Sequence, residues 1–486
     1  MQLATIDAAV VAIYFVCIFG LAQWVSRDRA GHAKDSSDYF LASKALPWWA
    51  IGASLIAANI SAEQIVGMSG SGYAIGLAIA SYEWMAAATL LIVGKFFLPI
   101  FLRNQVHTMP QFLAKRYGRL LPVIMALFWL ALYVFVNLTS IIWLGSIAVT
   151  KVAGVDQNVA LVILGAFALL YQLRGGLKAV ALTDIVQVTL LVLGGLVVAW
   201  LTLSQIGGGS IVAGWSRLTA AAPDHFHMIL KRGDPHYADL PGLSVLVGGM
   251  WIANLSYWGF NQYIIQRALA AKSLPEAQKG VLFAAFLKLL MPLIIVLPGI
   301  AAVVLAPGLS RPDEAYPTMM RLLPPGLLGL VFAALVAAIV ASTASKINSI
   351  ATIFTLDLYA RFRRSPAGVD ADGERHLVLV GRIAAVVAIT IAILTARPLV
   401  GASEQAFQFI QEFTGFFTPG ITVIFLLGLF WKRATEAGAI AAAVASVILS
   451  WGAKALLPAL PFMDRMGIVF LASLALAVAV SLASPA

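Results

Sequence analysis

Six polar or ionisable side chains stand inside long apolar runs: Gln64, Glu83, Asn137, Asn254, Lys288 and Gln411. An amide or an ion in such surroundings is costly unless it is paired or faces a polar cavity. The six fit two kinds of chemistry. Taken singly, each Asn or Gln can hydrogen-bond across a helix interface, and Glu83 with Lys288 can form a purely structural ion pair. Gathered around one cavity, the same groups supply the donors and acceptors that hold a small polar solute. No span carries a His-rich metal cluster, a nucleophile paired with a base or a phosphate-binding loop, so an enzyme is not expected.

The elements that must position these residues are apolar runs of spanning length. They occur at about 6–26, 47–72, 77–102, 121–149, 158–173, 179–204 and 240–265, and then at 276–305, 326–357, 377–396, 402–431, 435–457 and 466–484. These runs predict an all-α polytopic membrane protein with about 13 transmembrane helices in a single domain, 1–486. Composition agrees: 61% of the 486 residues are hydrophobic and 11% charged, and the mean hydropathy is +0.92. A water-soluble fold cannot cover that balance with polar surface, so the lipid bilayer is the expected surrounding.

A net charge of +10 does not point to nucleic acid, because the basic residues are scattered through short interhelical loops. One set of alternate loops, with Arg27, Arg103, Arg116, Arg174, Arg361 and Arg433 among its members, holds about twice the Lys and Arg of the other, which includes Lys151, Arg311 and Lys454. Placing the richer set in the cytoplasm puts the N-terminus outside, the C-terminus inside and the polar insertion 205–239 outside. The start lacks Lys and Arg and carries Asp7, unlike a secretory leader, so the first run reads as a retained helix. Cys17 is the one cysteine, which excludes a disulfide within the chain.

Two spans are interrupted. Polar residues from Ala57 to Gln64, followed by the Gly-rich stretch 67–72, break the second, and Asn254 to Gln262 around Gly259 break the seventh. Breaks at membrane depth persist only where the freed backbone groups find protein, water or ligand. Their five-span separation fits two five-helix halves that each open on a broken helix, as in many secondary transporters. Ordinary kinks at glycine would leave the same marks.

Longer stretches carry a family resemblance. Asp38-Tyr-Phe-Leu-Ala-Ser-Lys-Ala-Leu-Pro-Trp-Trp49, Ser81-Tyr-Glu-Trp84, Tyr133-Val-Phe-Val-Asn-Leu-Thr-Ser140 and Tyr257-Trp-Gly-Phe-Asn-Gln-Tyr-Ile-Ile-Gln-Arg267 resemble the sodium/solute symporters. Phe283 to Lys288, Asn348 to Tyr359 and Gln405 to Gly415 extend the match, which is nearest to the sodium/glucose branch and its bacterial galactose carriers. The resemblance implies a LeuT-like 5+5 inverted repeat, with 6–26 as an extra N-terminal helix, repeats at 47–204 and 240–431, and peripheral helices at 435–484. It also implies a bacterial inner-membrane location and sodium-coupled import of a hexose such as galactose or glucose by alternating access. Sodium would be cargo, not a fixed cofactor. Proton-coupled or sodium-independent transport, another small polar solute and a non-transporting sugar sensor are the alternatives; the sensor would need an output domain that this sequence lacks. Oligomeric state is left open.

A pyranose presents hydroxyls at its edge and apolar CH faces, so its site needs amides and ions with an aromatic ring against one face. By resemblance Gln64, Glu83, Asn137, Asn254, Lys288 and Gln411 match the sugar-contacting positions, and Tyr257, with Trp258 beside it, matches the gate that closes the pocket. Ala86 stands where a serine is expected. For sodium, the resemblance points to the carbonyls of Ala57 and Ile60, with Ala338, position 341 and Ser342 in the ninth span. Position 341 is Ala341, so one expected hydroxyl is missing. Lys346, four residues beyond Ser342, projects along the same helical face and is either a surrogate cation or a lysine snorkelling to the cytoplasmic end, with water or Thr343 completing the ion site. Asp184 matches an acidic position linked to ion coupling; a cap near Arg174 and Lys178 is the alternative.

Overall fold

The computed structural model describes residues 3–25, 46–106, 108–172, 177–362 and 371–484. Part of the Asp38–Trp49 motif, the loop residues Arg27, Arg29, Lys34, Lys44, Arg174, Arg363 and Arg364, and the side chain of Lys178 lie outside these. The described residues form helices and connecting turns, with one isolated bridge between Leu46 and Ala271.

Every apolar run has helix in it, but not always a single helix. Among the described residues eight helices are long and apolar enough to cross a bilayer, and ten if each of two bent pairs counts as one span: Trp48–Asn59 with Glu63–Ala74, bent by 64°, and Ala406–Thr414 with Thr418–Phe430, bent by 49°. Thr5–Ile18 and Gln157–Gln172 are shorter apolar helices. The seventh run is four short pieces, Leu243–Val247, Gly249–Leu255, Ser256–Phe260 and Gln262–Leu269. The second bend in 402–431 has a local cause that the hydropathy of this run hides: Gly415 ends one helix and Pro419 opens the next.

Burial sorts core from periphery. In the most apolar window of Leu327–Phe362, 78% of residues are buried inside the protein, against 22% in His376–Leu399, 33% in Glu436–Leu456 and 28% in Phe462–Ala483. The ninth span is therefore the hub, and the last two helices face outward. The first helix docks on that hub through a buried carboxylate: Asp7 Oδ1 accepts from the amides of Gly326 at 2.6 Å and Gly329 at 2.8 Å, capping Leu327–Thr352. Losing a cap of this kind costs about 0.5–2 kcal/mol. Asp7→Ala is accordingly expected to lower the melting temperature in detergent, and an unchanged value would show that this contact does not hold the first helix.

The Gly-rich stretch 67–72 turns out to be helical, and the break lies earlier, at Ile60–Ala62, where Ile60 is extended (φ −71°, ψ 94°). Its glycines serve close packing. A Cβ on Gly70 would sit 2.7–2.8 Å from Asp313, and one on the facing Gly299 would meet the Ser69 carbonyl at 2.1 Å. In the seventh segment the extended residue is Asn261 (φ −79°, ψ 117°), not Gly259.

Candidate solute and ion sites

Three π-helical turns meet at the centre of the bundle: Glu63–Met68, Tyr133–Leu138 and Ser256–Phe260. A π turn inserts an extra residue, so the side chains around it are re-aimed, and such turns recur at functional sites. Here they carry Glu63 with Gln64, Tyr133 with Asn137, and Tyr257 with Trp258. All of these line one cavity, together with Glu83, Asn254, Lys288 and Gln411.

The cavity wall contains a connected polar chain. Lys288 Nζ lies 2.6 Å from Glu83 Oε2, with both side chains at most 2% exposed. It also donates to Asn59 Oδ1 and stands 5.1 Å from the Trp258 ring centroid. The Asn59 amide in turn donates to the Tyr257 hydroxyl at 3.2 Å. The Glu83–Lys288 ion pair is thus real and also faces the cavity. Asn254 uses its amide N–H on the Met250 carbonyl at 3.0 Å. Gln64 Oε1, Glu63 Oε1 and the Tyr82 hydroxyl are buried with no partner among the described residues. Groups left unpaired at such depth are costly, so acceptors of this kind suit a solute that brings hydroxyl donors. Ala86 also lines the wall without a hydroxyl to offer. Two ring pairs flank the space: Tyr257 against Trp258, with centroids 5.1 Å apart, and Tyr82 against Phe407, also 5.1 Å apart.

Sequence reasoning missed Asn59, Glu63, Tyr133 and Asn261. The signal for Glu63 was present in the polar run before Gln64; what was not visible is the π turn that aims two consecutive residues into the same space. Tyr133 donates to Asn261 Oδ1 at 3.0 Å, while the same oxygen caps the helix at Tyr263 N, 3.1 Å away.

The residues expected around sodium stand apart from this cavity. The break after Asn59 leaves the carbonyls of Ala57 and Ile60 without a backbone donor among the described residues. Ala338, Ala341 and Ser342 lie on the buried helix Leu327–Thr352. Tyr263, which the sequence did not single out, joins the two sides: its hydroxyl donates to the Ala58 carbonyl and lies at the Ser342 side chain. Thr343 donates its hydroxyl to the Ile339 carbonyl at 2.7 Å, which leaves the oxygen's lone pairs free for an ion.

One other expectation is corrected. Lys346 does not snorkel; it is 3% exposed, with Nζ 4.5 Å from the Tyr263 ring centroid and 5.3 Å from that of Tyr133. Asp184 pairs with Arg267, 3.7 Å away, while Arg174 and the side chain of Lys178 lie outside the described residues. Arg267 also donates to Ser54 Oγ at 3.0 Å and to the Tyr263 carbonyl at 2.5 Å.

An all-α bundle with a helix broken beside a central polar cavity defines a carrier of the LeuT-like fold. A solved outward-open, substrate-bound sodium-coupled sialic acid symporter has the same fold, with a TM-score of 0.82 at 22% identity over 99% of this chain and 98% of that one. Residues 39–446 match the profile of the sodium:solute symporter family, and the chain belongs to that family. Among its relatives are the sodium/glucose cotransporter of Vibrio parahaemolyticus, 53% identical over 96% of this chain and 88% of the relative, and sodium/myo-inositol cotransporter 2 of Bos taurus, 35% identical over 91% and 69%.

Proposed function

We propose that this protein imports a hexose, galactose or glucose, together with sodium. The observation that carries the reading is the chain Glu83–Lys288–Asn59–Tyr257 on the wall of a cavity where Glu63 Oε1, Gln64 Oε1 and the Tyr82 hydroxyl lack partners among the described residues. Glucose and myo-inositol, for which the two relatives are named, are both six-membered rings bearing hydroxyls. A ring of that shape suits a site with ions and amides at the edge and Tyr257 against a face. In this reading Gln64, Glu83, Asn137, Asn254, Lys288 and Gln411 hold the sugar, and Tyr257 with Trp258 gates its exit. Sodium is held by the carbonyls of Ala57 and Ile60 with Ala338 and Ser342, and Asp184 lies on the ion's route.

Two repeats, 47–204 and 240–431, rock against each other around the sites, in a bacterial inner membrane with the N-terminus outside and the C-terminus in the cytoplasm. Sodium binding pulls the broken second span against the ninth and so favours the formed sugar pocket; that difference in affinity is the coupling. One charge crossing about 150 mV releases roughly 3.5 kcal/mol, and a tenfold sodium gradient adds about 1.4 kcal/mol. Together they support accumulation of several thousandfold, so one ion per sugar suffices.

Uptake of labelled galactose and glucose into proteoliposomes tests this. Accumulation driven by an inward sodium gradient, and absent for an unrelated amino acid, is the expected result; no uptake of either hexose would overturn the substrate assignment.

A further inference from the structure

Lys346 is a buried cation for which, among the described residues, no carboxylate lies within ion-pair distance and no oxygen accepts its hydrogen bond. An ammonium withdrawn from water ordinarily has both. Its support here is two ring faces, those of Tyr133 and Tyr263. The charges that act on it are the carboxylate of Glu63, on the wall of the solute cavity, and the guanidinium of Arg267, whose Cζ lies 5.0 Å from the same Tyr263 ring.

Tyr263 is also the residue that ties the broken span to the ninth, through Ala58 and Ser342. Lys346 is therefore one helical turn along the chain from Ser342, and its ammonium stands on the ring of the tyrosine that bridges the two sides of the ion site. That site is also one hydroxyl short of the expected set, because position 341 is an alanine.

From this placement we infer that Lys346 is a tethered cation which does part of sodium's work: it supplies positive charge between Glu63 and the bridge at Tyr263, and by repulsion it weakens sodium binding. Sodium affinity in this chain is then set by Lys346 acting through the Tyr263 bridge, and the pocket is partly formed without the ion. Lys346 is a positioning residue; it acts on the ion and the pocket through its charge. The inference deepens the sodium-coupled reading and rests on the ion site assigned there.

The test measures sodium binding to the purified full-length protein without sugar, from the shift of melting temperature as sodium chloride replaces choline chloride at constant ionic strength. Two charges a helical turn or slightly more apart, at the effective dielectric of a partly wet protein, change an affinity by tenfold or more. Lys346→Met is expected to lower the half-saturating sodium concentration by at least about tenfold, and Lys346→Arg to leave it near that of the original protein. Lys346→Gln, which keeps polarity without charge, is expected to follow Met and guards against a packing artefact. In parallel, hexose binding in choline is expected to weaken in the Met variant and to recover in sodium.

A half-saturating sodium concentration that is the same in all four proteins overturns the inference, as does an Arg variant that behaves like Met. Failure of every form to bind hexose would refute the substrate reading instead, and the sodium titration would still decide the role of Lys346.

Discussion

Lys288→Met is expected to reduce the initial rate of hexose uptake by at least a hundredfold. Lys288 and Glu83 are paired at 2.6 Å and are both almost fully buried, and taking away one member of such a pair costs about 3–5 kcal/mol because the other charge is left uncompensated. At 1.4 kcal/mol per factor of ten, that is about two to three and a half orders of magnitude. Some of the loss is structural, and a double variant separates the two parts. Glu83→Gln with Lys288→Met leaves no stranded ion, so its melting temperature in detergent recovers. If the two residues hold sugar hydroxyls, uptake does not recover with it. A double variant that regains both stability and transport would show that the pair is only an internal brace. Asn59 adds a further check, since it accepts from Lys288 and donates to Tyr257. Asn59→Ala is expected to leave the ion pair intact and to affect the gate.

The spans and the polar positions were legible because lipid makes their sequence signals strong: an apolar run of this length has few other uses, and an ion within one needs a reason. The types of the six polar residues suggest a shared cavity, but their spacing does not dictate one, since nothing between Gln64, Asn137 and Gln411 says which faces meet. The π turns were invisible. They depend on one extra residue in a backbone ladder, which leaves no compositional trace in a stretch such as Tyr133 to Leu138, yet they decide that Glu63 and Tyr133 belong with the wall. The breaks fall inside the stretches 57–64 and 254–262, but the part given to the glycines was misread. Gly67 to Gly72 looks like a helix breaker, but in a packed bundle glycine also permits close approach, and Asp313 beside Gly70 and Val296 beside Gly72 are what it approaches. Lys346 was legible as an anomaly, while its direction depends on Tyr133 and Tyr263, which come from two other segments.

Arg267→Ala is expected to be the most damaging single change outside the solute cavity. The guanidinium is 3% exposed and joins three elements: Asp184 of the sixth span at 3.7 Å, Ser54 of the broken second span at 3.0 Å, and the carbonyl of Tyr263 in its own helix at 2.5 Å. Removing it strands the Asp184 carboxylate in the protein interior, at a cost of roughly 3–5 kcal/mol, and frees the helix that holds the Tyr263 bridge. A fall in both melting temperature and uptake is expected. The decisive variant is Arg267→Ala with Asp184→Asn, which no longer buries an unpaired charge. Its melting temperature is expected to recover by more than half of the loss, while sodium-driven uptake stays low, because Tyr263 and Ser54 still lack their common partner. Recovery of neither property would mean that Asp184 gains nothing from Arg267. Recovery of both would mean that the arginine acts only by neutralising Asp184, and that the bonds to Ser54 and Tyr263 contribute nothing to transport.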